Sequence, residues 1–461
     1  MSALKGIYDR SPRFLRTLYT NVYGCRNLAR FRRWDQVLAA IAYTETLSHD
    51  DQVAFVDQRI KDILGHAIDQ VPFYGQFAAL KKDFSTRTAF DLLKELPITS
   101  KEFINRDPEA FLSRTRKNFT VSRTSGTTGT PFSIFMDKDV FLLGDALWWR
   151  RTLWADYRPG DWIARLVGDP IVPLAENNPR NPWIISWPDH RIYLSTFHLS
   201  RETAQRMGRM LQRRLPAFIM GYPSSLEILC GYLKNTGFDM DWNLKHVLFS
   251  SEPMHPHREE LIKDVFKVEI RGLYGSGEKL ISAAQCNAGN YHLSLVDGFI
   301  EGQFGIMDEV EPAAVTTLVN RAMPLIRYQI GDLIQTKPGF VCACGRTLPV
   351  MDPVITKHED LIITPSGRKI SPSAVVWAFI HQDIQDIQNS QVVQEEADLV
   401  RVYLNTDEDT FQKYRAVLHE SMGKVFFGEM RIEIVKTDHI EVTKAGKSRF
   451  ILNRYRQEQG S

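Results

Sequence analysis

Short β-rich runs alternate with helical runs over the middle of this 461-residue chain, and this alternation restricts the fold more than any other feature. It extends from Phe119 to about Pro349. The clearest runs are strand-like at 162–167, 218–220 and 247–249 and helical at 201–215 and 225–234. Strands that alternate with helices predict an α/β domain with mainly parallel sheets flanked by helices. Loops at the carboxyl ends of such strands can present a ligand.

The pattern changes near Pro353, and a smaller α+β region follows. We predict helices at 372–380 and 409–422 and strands at 400–404 and 431–435. The predicted organisation has three parts: an N-terminal helical segment at 1–60, a large domain at 61–355 and a small, mobile C-terminal α+β domain at 356–461. About 110 residues is a normal size for such a domain.

Composition excludes several function classes. The formal charge of +2 and the 24% of charged residues predict no polyanionic partner and no nucleic acid. No apolar stretch is long enough to span a bilayer. The basic, aromatic segment 1–33 favours a helix with a solvated Arg-rich face, and weak contact with an anionic membrane surface is the alternative. Five unevenly spaced cysteines favour reduced thiols or metal ligation in a cytoplasmic protein.

A loop rich in hydroxyls and glycine precedes the strand-like run 132–136. Its candidate ligand-binding residues are Ser125, Gly126, Thr127, Thr128 and Gly129. The glycines let backbone N–H groups approach a ligand closely, and the hydroxyls offer donors to phosphate oxygens. The loop lacks the Gly-Lys-Ser/Thr ending of a Walker A loop. Taken alone it is typical of a solvated turn.

Four further motifs follow this loop in a fixed order. They are Ser250-Ser251-Glu252-Pro253, Tyr274-Gly275-Ser276-Gly277-Glu278, Pro324-Leu325-Ile326-Arg327-Tyr328-Gln329-Ile330-Gly331-Asp332 and Lys444-Ala445-Gly446-Lys447. With these motifs, the chain from about 60 to 452 resembles the adenylate-forming enzymes. It is most similar to the phenylacetate–CoA ligase family, in its CapK-like and deazaflavin-adenylating branch.

The resemblance implies a two-step ligase that uses ATP and Mg²⁺ to convert a small-molecule carboxylate to an acyl-adenylate, and then uses CoA as acceptor. The loop from Ser125 to Gly129 would hold the β- and γ-phosphates. Adenine would lie against Tyr274 and Gly275, with Ser251, Glu252 and Pro253 at its other edges. The remaining implied roles are Mg²⁺ binding by Glu278, ribose binding by Asp332, phosphate contact or strand anchoring by Arg327, and transition-state stabilisation by Lys447.

Several positions depart from the family pattern. Thr130 stands where many relatives have lysine, and Lys357 and Glu359 replace the arginine and aspartate usual at the domain junction. These changes bear on the second half-reaction more than on ATP binding. Two alternatives stay open: an amide- or ester-forming ligase with an amine or hydroxyl acceptor, and a non-catalytic nucleotide-binding relative. The sequence is also compatible with a homodimer.

A metal site is predicted from Cys286, His292, Cys342 and Cys344. Three thiolates and one imidazole form an acceptable tetrahedral zinc set, although the spacing is not that of a standard finger. Small buried cysteines that pack as apolar groups are the alternative. Zinc-carrying members of the resembled family have a similar arrangement, which favours a structural Zn²⁺.

The acyl substrate is not determined by the sequence. Aromatic and histidine side chains that could line its pocket lie between the hydroxyl loop and the next motif: Phe141, Trp148, Trp149, Phe197 and His198. Because Trp148 and Trp149 are adjacent in a helical run, at least one of them is expected to face the core.

Overall fold

A computed structural model describes most of the chain. It leaves out residues 1–7, 9–10, 116–118, 125–131, 169–170, 177, 235, 240, 311, 333, 355–360, 371–373, 376–377, 380–388, 439, 442–449 and 456–461.

The helices lie mainly before and between the strands. They are α1 (Arg13–Thr44), α2 (His49–Gln70), α3 (Pro72–Gly75), α4 (Ala89–Lys94), α5 (Lys101–Asn105), α6 (Lys138–Trp154), α7 (Arg201–Arg214), α8 (Pro223–Lys234), α9 (Pro256–Phe266) and α10 (Glu408–Val425). Short 3-10 turns span Ala78–Asp83 and Pro108–Phe111. Helices α1 and α2 are separate elements, and the Ser48 side chain caps the start of α2 by accepting a hydrogen bond from Asp51 N.

The strands of the first two thirds are β1 (Thr120–Thr124), β2 (Phe132–Met136), β3 (Ile163–Val167), β4 (Trp183–Ser186), β5 (Arg191–Ser195), β6 (Phe218–Gly221), β7 (His246–Ser250), β8 (Ile270–Gly275), β9 (Ser282–Gln285), β10 (Tyr291–Leu293) and β11 (Gly298–Ile300). Those that follow are β12 (Ala314–Thr317), β13 (Tyr328–Gln329), β14 (Thr336–Lys337), β15 (Val350–Met351), β16 (Ile362–Ile363), β17 (Lys369–Ile370), β18 (Asn389–Glu396), β19 (Leu399–Asn405), β20 (Arg431–Lys436) and β21 (Ile451–Asn453).

The largest sheet has the order β14-β15-β10-β9-β8-β7-β6-β3-β5-β4. Its centre, β5-β3-β6-β7-β8, is parallel, and antiparallel strands extend it at both edges. Strands β6 and β7 are short apolar runs and β6 is buried throughout, as is typical of parallel strands joined by covering helices such as α8. The predicted α/β class is therefore confirmed, with parallel pairing concentrated in five strands.

Smaller sheets complete the chain. Strands β1 and β2 form a hairpin, β11-β12-β13 form a second sheet, and β16 pairs with β17. The C-terminal sheet has the order β20-β19-β18-β21, and α10 packs on it through Phe411, Leu418 and Met422. The predicted strands at 400–404 and 431–435 and the helix at 409–422 correspond to β19, β20 and α10. Most of the predicted helix at 372–380 lies outside the described residues.

Helix α1 packs against β4 and α6. Its contact with the sheet edge includes Asn21, whose side-chain oxygen accepts from Trp187 N at 3.0 Å. Phe14, Leu18 and Val22 remain exposed on this helix. Within the described part of the chain, no helix is both long and apolar enough to cross a membrane.

Candidate active site and metal centre

Two of the predicted motifs lie at the carboxyl ends of neighbouring central strands. Strand β7 ends at Ser250 and continues into the Ser251–Pro253 motif, and β8 ends at Gly275. This edge is where open α/β sheets bind ligands, because the strand-to-helix loops leave a crevice there.

A hydrogen bond joins two motifs that are 58 residues apart. The Tyr274 hydroxyl donates to Asp332 Oδ2 at 2.8 Å. Burial raises the pKa of Tyr274 well above its usual range, and the charges of Asp332 and Glu278 raise it further. The phenol therefore stays protonated as the donor, and one oxygen of the Asp332 carboxylate is used in fixing the tyrosine ring.

Glu278 lies near the same group of side chains. Burial raises the pKa of Tyr328, and the Glu278 charge contributes to that shift as it does for Tyr274. Tyr328 stacks on Phe132 of β2 with ring centroids 5.7 Å apart, so the hairpin next to the hydroxyl loop is anchored beside this group. The carboxylate oxygens of Glu278 are ligands of the kind that Mg²⁺ prefers.

Glu252 has a defined structural partner. Its carboxylate accepts hydrogen bonds from the Ser224 backbone N–H and hydroxyl, both at 2.9 Å, at the start of α8. Burial raises the pKa of Glu252, while the Ser224 bonds oppose this shift. Ser251 has φ +73°, a left-handed conformation that is uncommon without glycine and that turns the chain sharply after β7. Contact of Ser251, Glu252 and Pro253 with adenine stays a prediction.

Arg327 is held by protein groups. Its Nε and Nη2 donate to the two oxygens of Glu301 at 2.6 and 2.8 Å, and Nη1 donates to the Leu96 carbonyl at 2.8 Å. Glu301 is buried, so this fork neutralises a carboxylate in the interior. The geometry fits the anchoring role implied for Arg327, and contact with phosphate stays a prediction.

Several predicted site residues lie outside the described residues. They are Ser125, Gly126, Thr127, Thr128 and Gly129 of the hydroxyl loop, Thr130 beside it, the junction residues Lys357 and Glu359, and Lys447. Their roles stay predictions.

The four predicted metal ligands come together in space. Ligand atoms of Cys286, His292, Cys342 and Cys344 all lie within 4.8 Å of one another. Cys286 Sγ is 3.7 Å from Cys342 Sγ, and Cys344 Sγ is 3.3 Å from His292 Nε2. A tetrahedral ion with Zn–S bonds of about 2.3 Å separates its sulfurs by about 3.8 Å, so the donor set fits zinc.

The surroundings of the cluster also suit a metal. His292 Nδ1 lies 3.1 Å from the Leu348 carbonyl oxygen, which selects the tautomer that leaves Nε2 for an ion. A zinc ion with three thiolates carries a net negative charge, which nearby cations stabilise. The charges of Arg150 and Arg346 both contribute to lowering the pKa of His292, so these two cations lie close to the cluster. Arg150 is buried, and none of its three nitrogens has a hydrogen-bond acceptor among the described residues.

A cavity of about 160 Å³ opens beside the strand ends at Ser250 and Ser251. Of its lining residues, Trp148 was expected in the acyl pocket and Ser250 and Ser251 belong to a predicted motif, whereas Arg151 and Arg165 were not predicted. An arginine inside the apolar run 162–167 was the available signal, since a charge on a central strand needs a partner or a ligand. The other expected pocket residues do not line this cavity. Trp149 and Phe197 are buried in hydrophobic cores, Phe141 packs against a third core, and His198 is hydrogen-bonded to Ser195.

Known proteins resemble this chain in sequence over its C-terminal region and over most of its length. The CapK C-terminal domain family matches residues 362–454. A phenylacetate-coenzyme A ligase of Thermus thermophilus is 22% identical over 352 residues, which are 72% of this chain and 76% of that protein. An indoleacetate–lysine synthetase of Pseudomonas savastanoi is 23% identical over 262 residues, which are 54% of this chain and 62% of that protein.

Among solved structures, 2-hydroxyisobutyryl-CoA ligase with 2-HIB-AMP and CoA has a TM-score of 0.51 and 18% identity. The match covers 91% of this chain and 94% of that one, and it shows that the fold is shared. The resemblance inferred from the motifs is confirmed: this chain is similar to a phenylacetate-coenzyme A ligase over most of its length, and its C-terminal region matches the CapK C-terminal domain family.

Proposed function

We propose that this protein is an ATP- and Mg²⁺-dependent ligase that activates a carboxylate and transfers the acyl group to CoA. In the first step a carboxylate oxygen attacks the α-phosphorus of ATP, and pyrophosphate leaves from the acyl-adenylate. In the second step the CoA sulfur attacks the acyl carbon, and AMP leaves with the electron pair of the broken C–O bond. The homology to a phenylacetate-coenzyme A ligase supports both steps.

The Tyr274–Asp332 hydrogen bond is the observation that carries this proposal. It supports an adenosine site in which the tyrosine ring offers a flat face to adenine and the second Asp332 oxygen accepts from ribose hydroxyls. Glu278, beside them, would hold Mg²⁺, which neutralises charge on the phosphates when bound.

Domain movement belongs to the same proposal. The unit 356–461 would act as a small lid that brings Lys447 to the α-phosphate for adenylation and then turns about Glu359 and Asp360 for thioester formation. Lysine in place of the usual junction arginine keeps the charge but loses the planar fork. We expect the second step to be more sensitive than the first to changes at Lys357.

Pyrophosphate release over a panel of carboxylates, with and without CoA, tests the function. Lys447→Ala should lower adenylation about 10²–10³-fold, as loss of a preorganised donor does. Lys424→Ala is the matched control, because Lys424 is a solvated lysine on α10 that pairs with Glu420. Unchanged release in Lys447→Ala would show that the lysine has another role. No release with any carboxylate, together with measurable ATP binding, would favour the non-catalytic relative.

An amine acceptor is the second candidate, favoured by the homology to an indoleacetate–lysine synthetase. The two acceptors are separated by measuring AMP release with CoA and with amines such as lysine after the acyl-adenylate has formed. AMP release that depends on an amine and not on CoA would replace the thioester by an amide as the product.

A structural Zn²⁺ bound by Cys286, His292, Cys342 and Cys344 completes the proposal. Four protein ligands leave no open position, so the ion would stabilise the fold and take no part in the reaction. Elemental analysis should give one zinc per chain, and Cys342→Ser should lose it and lower Tm. Cys25→Ser is the control, because Cys25 is an exposed thiol on α1. A folded, metal-free protein would contradict the assignment.

A cytoplasmic location and a homodimer stay predictions. The free thiols support a reducing compartment, where ATP and CoA are also available.

A further inference from the structure

The cavity beside Ser250 and Ser251 contains two arginines that have no carboxylate partner among the described residues. Arg151 is 2% exposed, and its Nη1 donates to the Phe249 carbonyl at 2.7 Å while its Nε has no acceptor. Arg165 is half-buried, and its Nε also lacks an acceptor in the described structure. Most buried guanidinium groups are paired, so this arrangement requires an explanation.

The sheet register explains how the two side chains meet. Arg165 of β3 is paired with Met220 of β6, which is paired in turn with Leu248 of β7, so the three side chains form one row across one face. Helix α6 covers this face and supplies Arg151 and Trp148. The Trp148 ring centre is 5.3 Å from the Arg151 guanidinium carbon and 5.4 Å from that of Arg165.

The electrostatics of the cavity favour an anion. Burial and, to a smaller extent, the charge of Arg165 lower the pKa of Arg151 to about 9, while Tyr291 opposes the shift. Arg151 is thus cationic at neutral pH, in a place that makes the charge costly. An anionic group between the two guanidiniums would accept several charge-assisted hydrogen bonds and remove that cost.

We propose that the acid activated by this protein carries a second anionic group, which binds Arg151 and Arg165 while the reacting carboxylate lies at the Ser250–Ser251 end of the cavity. This inference rests on the proposed function and specifies its substrate class. A cavity of about 150 Å³ can hold a molecule the size of benzene, so the acyl part would be short, such as a C4–C6 diacid or a benzoate with a second acidic group. Carboxylate, sulfonate and phosphate share the chemistry that two guanidiniums recognise.

Matched ligands test the charge separately from the shape. Terephthalate is compared with 4-carbamoylbenzoate, its neutral isostere, and glutarate with its monoamide, while 4-sulfobenzoate and 4-phosphonobenzoate distinguish the anion types. We expect kcat/KM for pyrophosphate release to be about 10–100-fold higher for at least one dianionic acid than for its neutral partner, as charge-assisted hydrogen bonds provide.

Arg165→Met should remove this preference, with a much larger loss of kcat/KM for the dianionic acid than for its neutral partner, and Arg165→Lys should restore part of it. Arg271→Met is the control. Arg271 of β8 is paired with Leu248 of β7, but its guanidinium donates to the Ile270 and Asn287 carbonyls and it does not line the cavity. Equal use of charged and neutral ligands, an equal loss for both in Arg165→Met, or a change confined to KM for ATP or CoA would overturn the proposal.

Binding is measured independently of catalysis by the rise in Tm with each ligand. If no acid releases pyrophosphate, the proposed function fails, but the cavity is still tested. A Tm rise with a dianionic acid that is absent with its neutral partner and lost in Arg165→Met supports the anion site. The absence of any such rise in the unaltered protein overturns it.

Discussion

Replacing His198 by asparagine should reduce the loss of stability that this protein undergoes between pH 7 and pH 5. His198 is fully buried after β5, where its Nδ1 lies 2.7 Å from the Ser195 hydroxyl. Its ring contacts Phe427 of the C-terminal region, with centroids 5.5 Å apart. Burial and the charge of Arg368 lower the pKa of His198 to about 4.

The direction of the change in stability follows from the pKa of His198 in the unfolded and in the folded protein. Below its ordinary pKa of 6.5 the unfolded imidazole takes up a proton, while the folded one stays neutral until about pH 4. Acid therefore stabilises the unfolded state in this window. Linkage gives a loss of about 1.8 kcal/mol in the free energy of unfolding between pH 7 and pH 5 from this group.

Asp297 acts in the opposite direction over the same window. It is buried, accepts a hydrogen bond from Ser282 at 2.7 Å, and has its pKa raised to about 6 by burial. The folded carboxylate takes up a proton before the unfolded one, whose ordinary pKa is 3.8, so acid stabilises the fold here. The gain between pH 7 and pH 5 is about 1.3 kcal/mol.

Urea unfolding at pH 7 and pH 5, followed by tryptophan fluorescence, measures both effects as differences from the unaltered protein. His198→Asn should retain about 1.8 kcal/mol more at pH 5, and Asp297→Asn about 1.3 kcal/mol less. His419→Asn, at an exposed position of α10, reports the effect of the substitution itself. If His198→Asn follows the same pH dependence as the unaltered protein, the reasoning from burial is refuted.

Variants at Tyr274, Arg327 and Gly275 test the proposed nucleotide site, and Gly298→Ala is a control for the glycine substitution. Tyr274→Phe loses the hydrogen bond to the motif aspartate and should raise KM for ATP about 10-fold without lowering Tm by more than a few degrees, whereas unchanged KM would separate this tyrosine from the nucleotide. Arg327→Met leaves the buried Glu301 carboxylate without its arginine partner and should lower the free energy of unfolding in urea by about 3 kcal/mol. Normal stability with a lower kcat would instead support phosphate contact by Arg327. Gly275→Ala should fold normally, because the new Cβ would be 3.8 Å from its nearest neighbouring atom, and it should raise KM for ATP by blocking close approach of the nucleotide to the backbone. Gly298→Ala should fail to fold, because its Cβ would collide with a backbone carbonyl. Soluble expression and pyrophosphate release distinguish the two variants.

The sequence predicted the elements whose local pattern agrees with their environment. Strands β6 and β7 are short apolar runs between helices, and such runs are typical of buried parallel strands. Two of the predicted motifs are joined by the Tyr274–Asp332 hydrogen bond, and the four predicted Cys/His ligands lie together.

Other features depend on distant partners that no local pattern reveals. Arg327 contacts Glu301 and the Leu96 carbonyl through tertiary packing, so the partners of an arginine predicted to contact phosphate or to anchor its strand could not be read from the motif. The Glu252 carboxylate likewise accepts a hydrogen bond from Ser224 N at the start of α8. Arg165 meets Arg151 only because sheet register and the covering helix bring them together. Pair geometry of this kind follows from register, which a single sequence does not determine.

The metal cluster and the nucleotide site belong to one continuous part of the sheet. Cys286 directly follows β9, His292 lies in β10, and the two other cysteines lie in the connection from β14 to β15. Strand β15 pairs with both β10 and β14, and β14 follows shortly after Asp332 in the chain. An ion at the cluster would therefore stabilise the edge of the sheet formed by β10, β15 and β14. At the other end, β9 pairs with β8, which carries Tyr274. The hydrogen bond between Tyr274 and Asp332 thus joins two parts of the chain that an ion at the cluster would also hold together, through β9 and β10 on one side and β14 and β15 on the other.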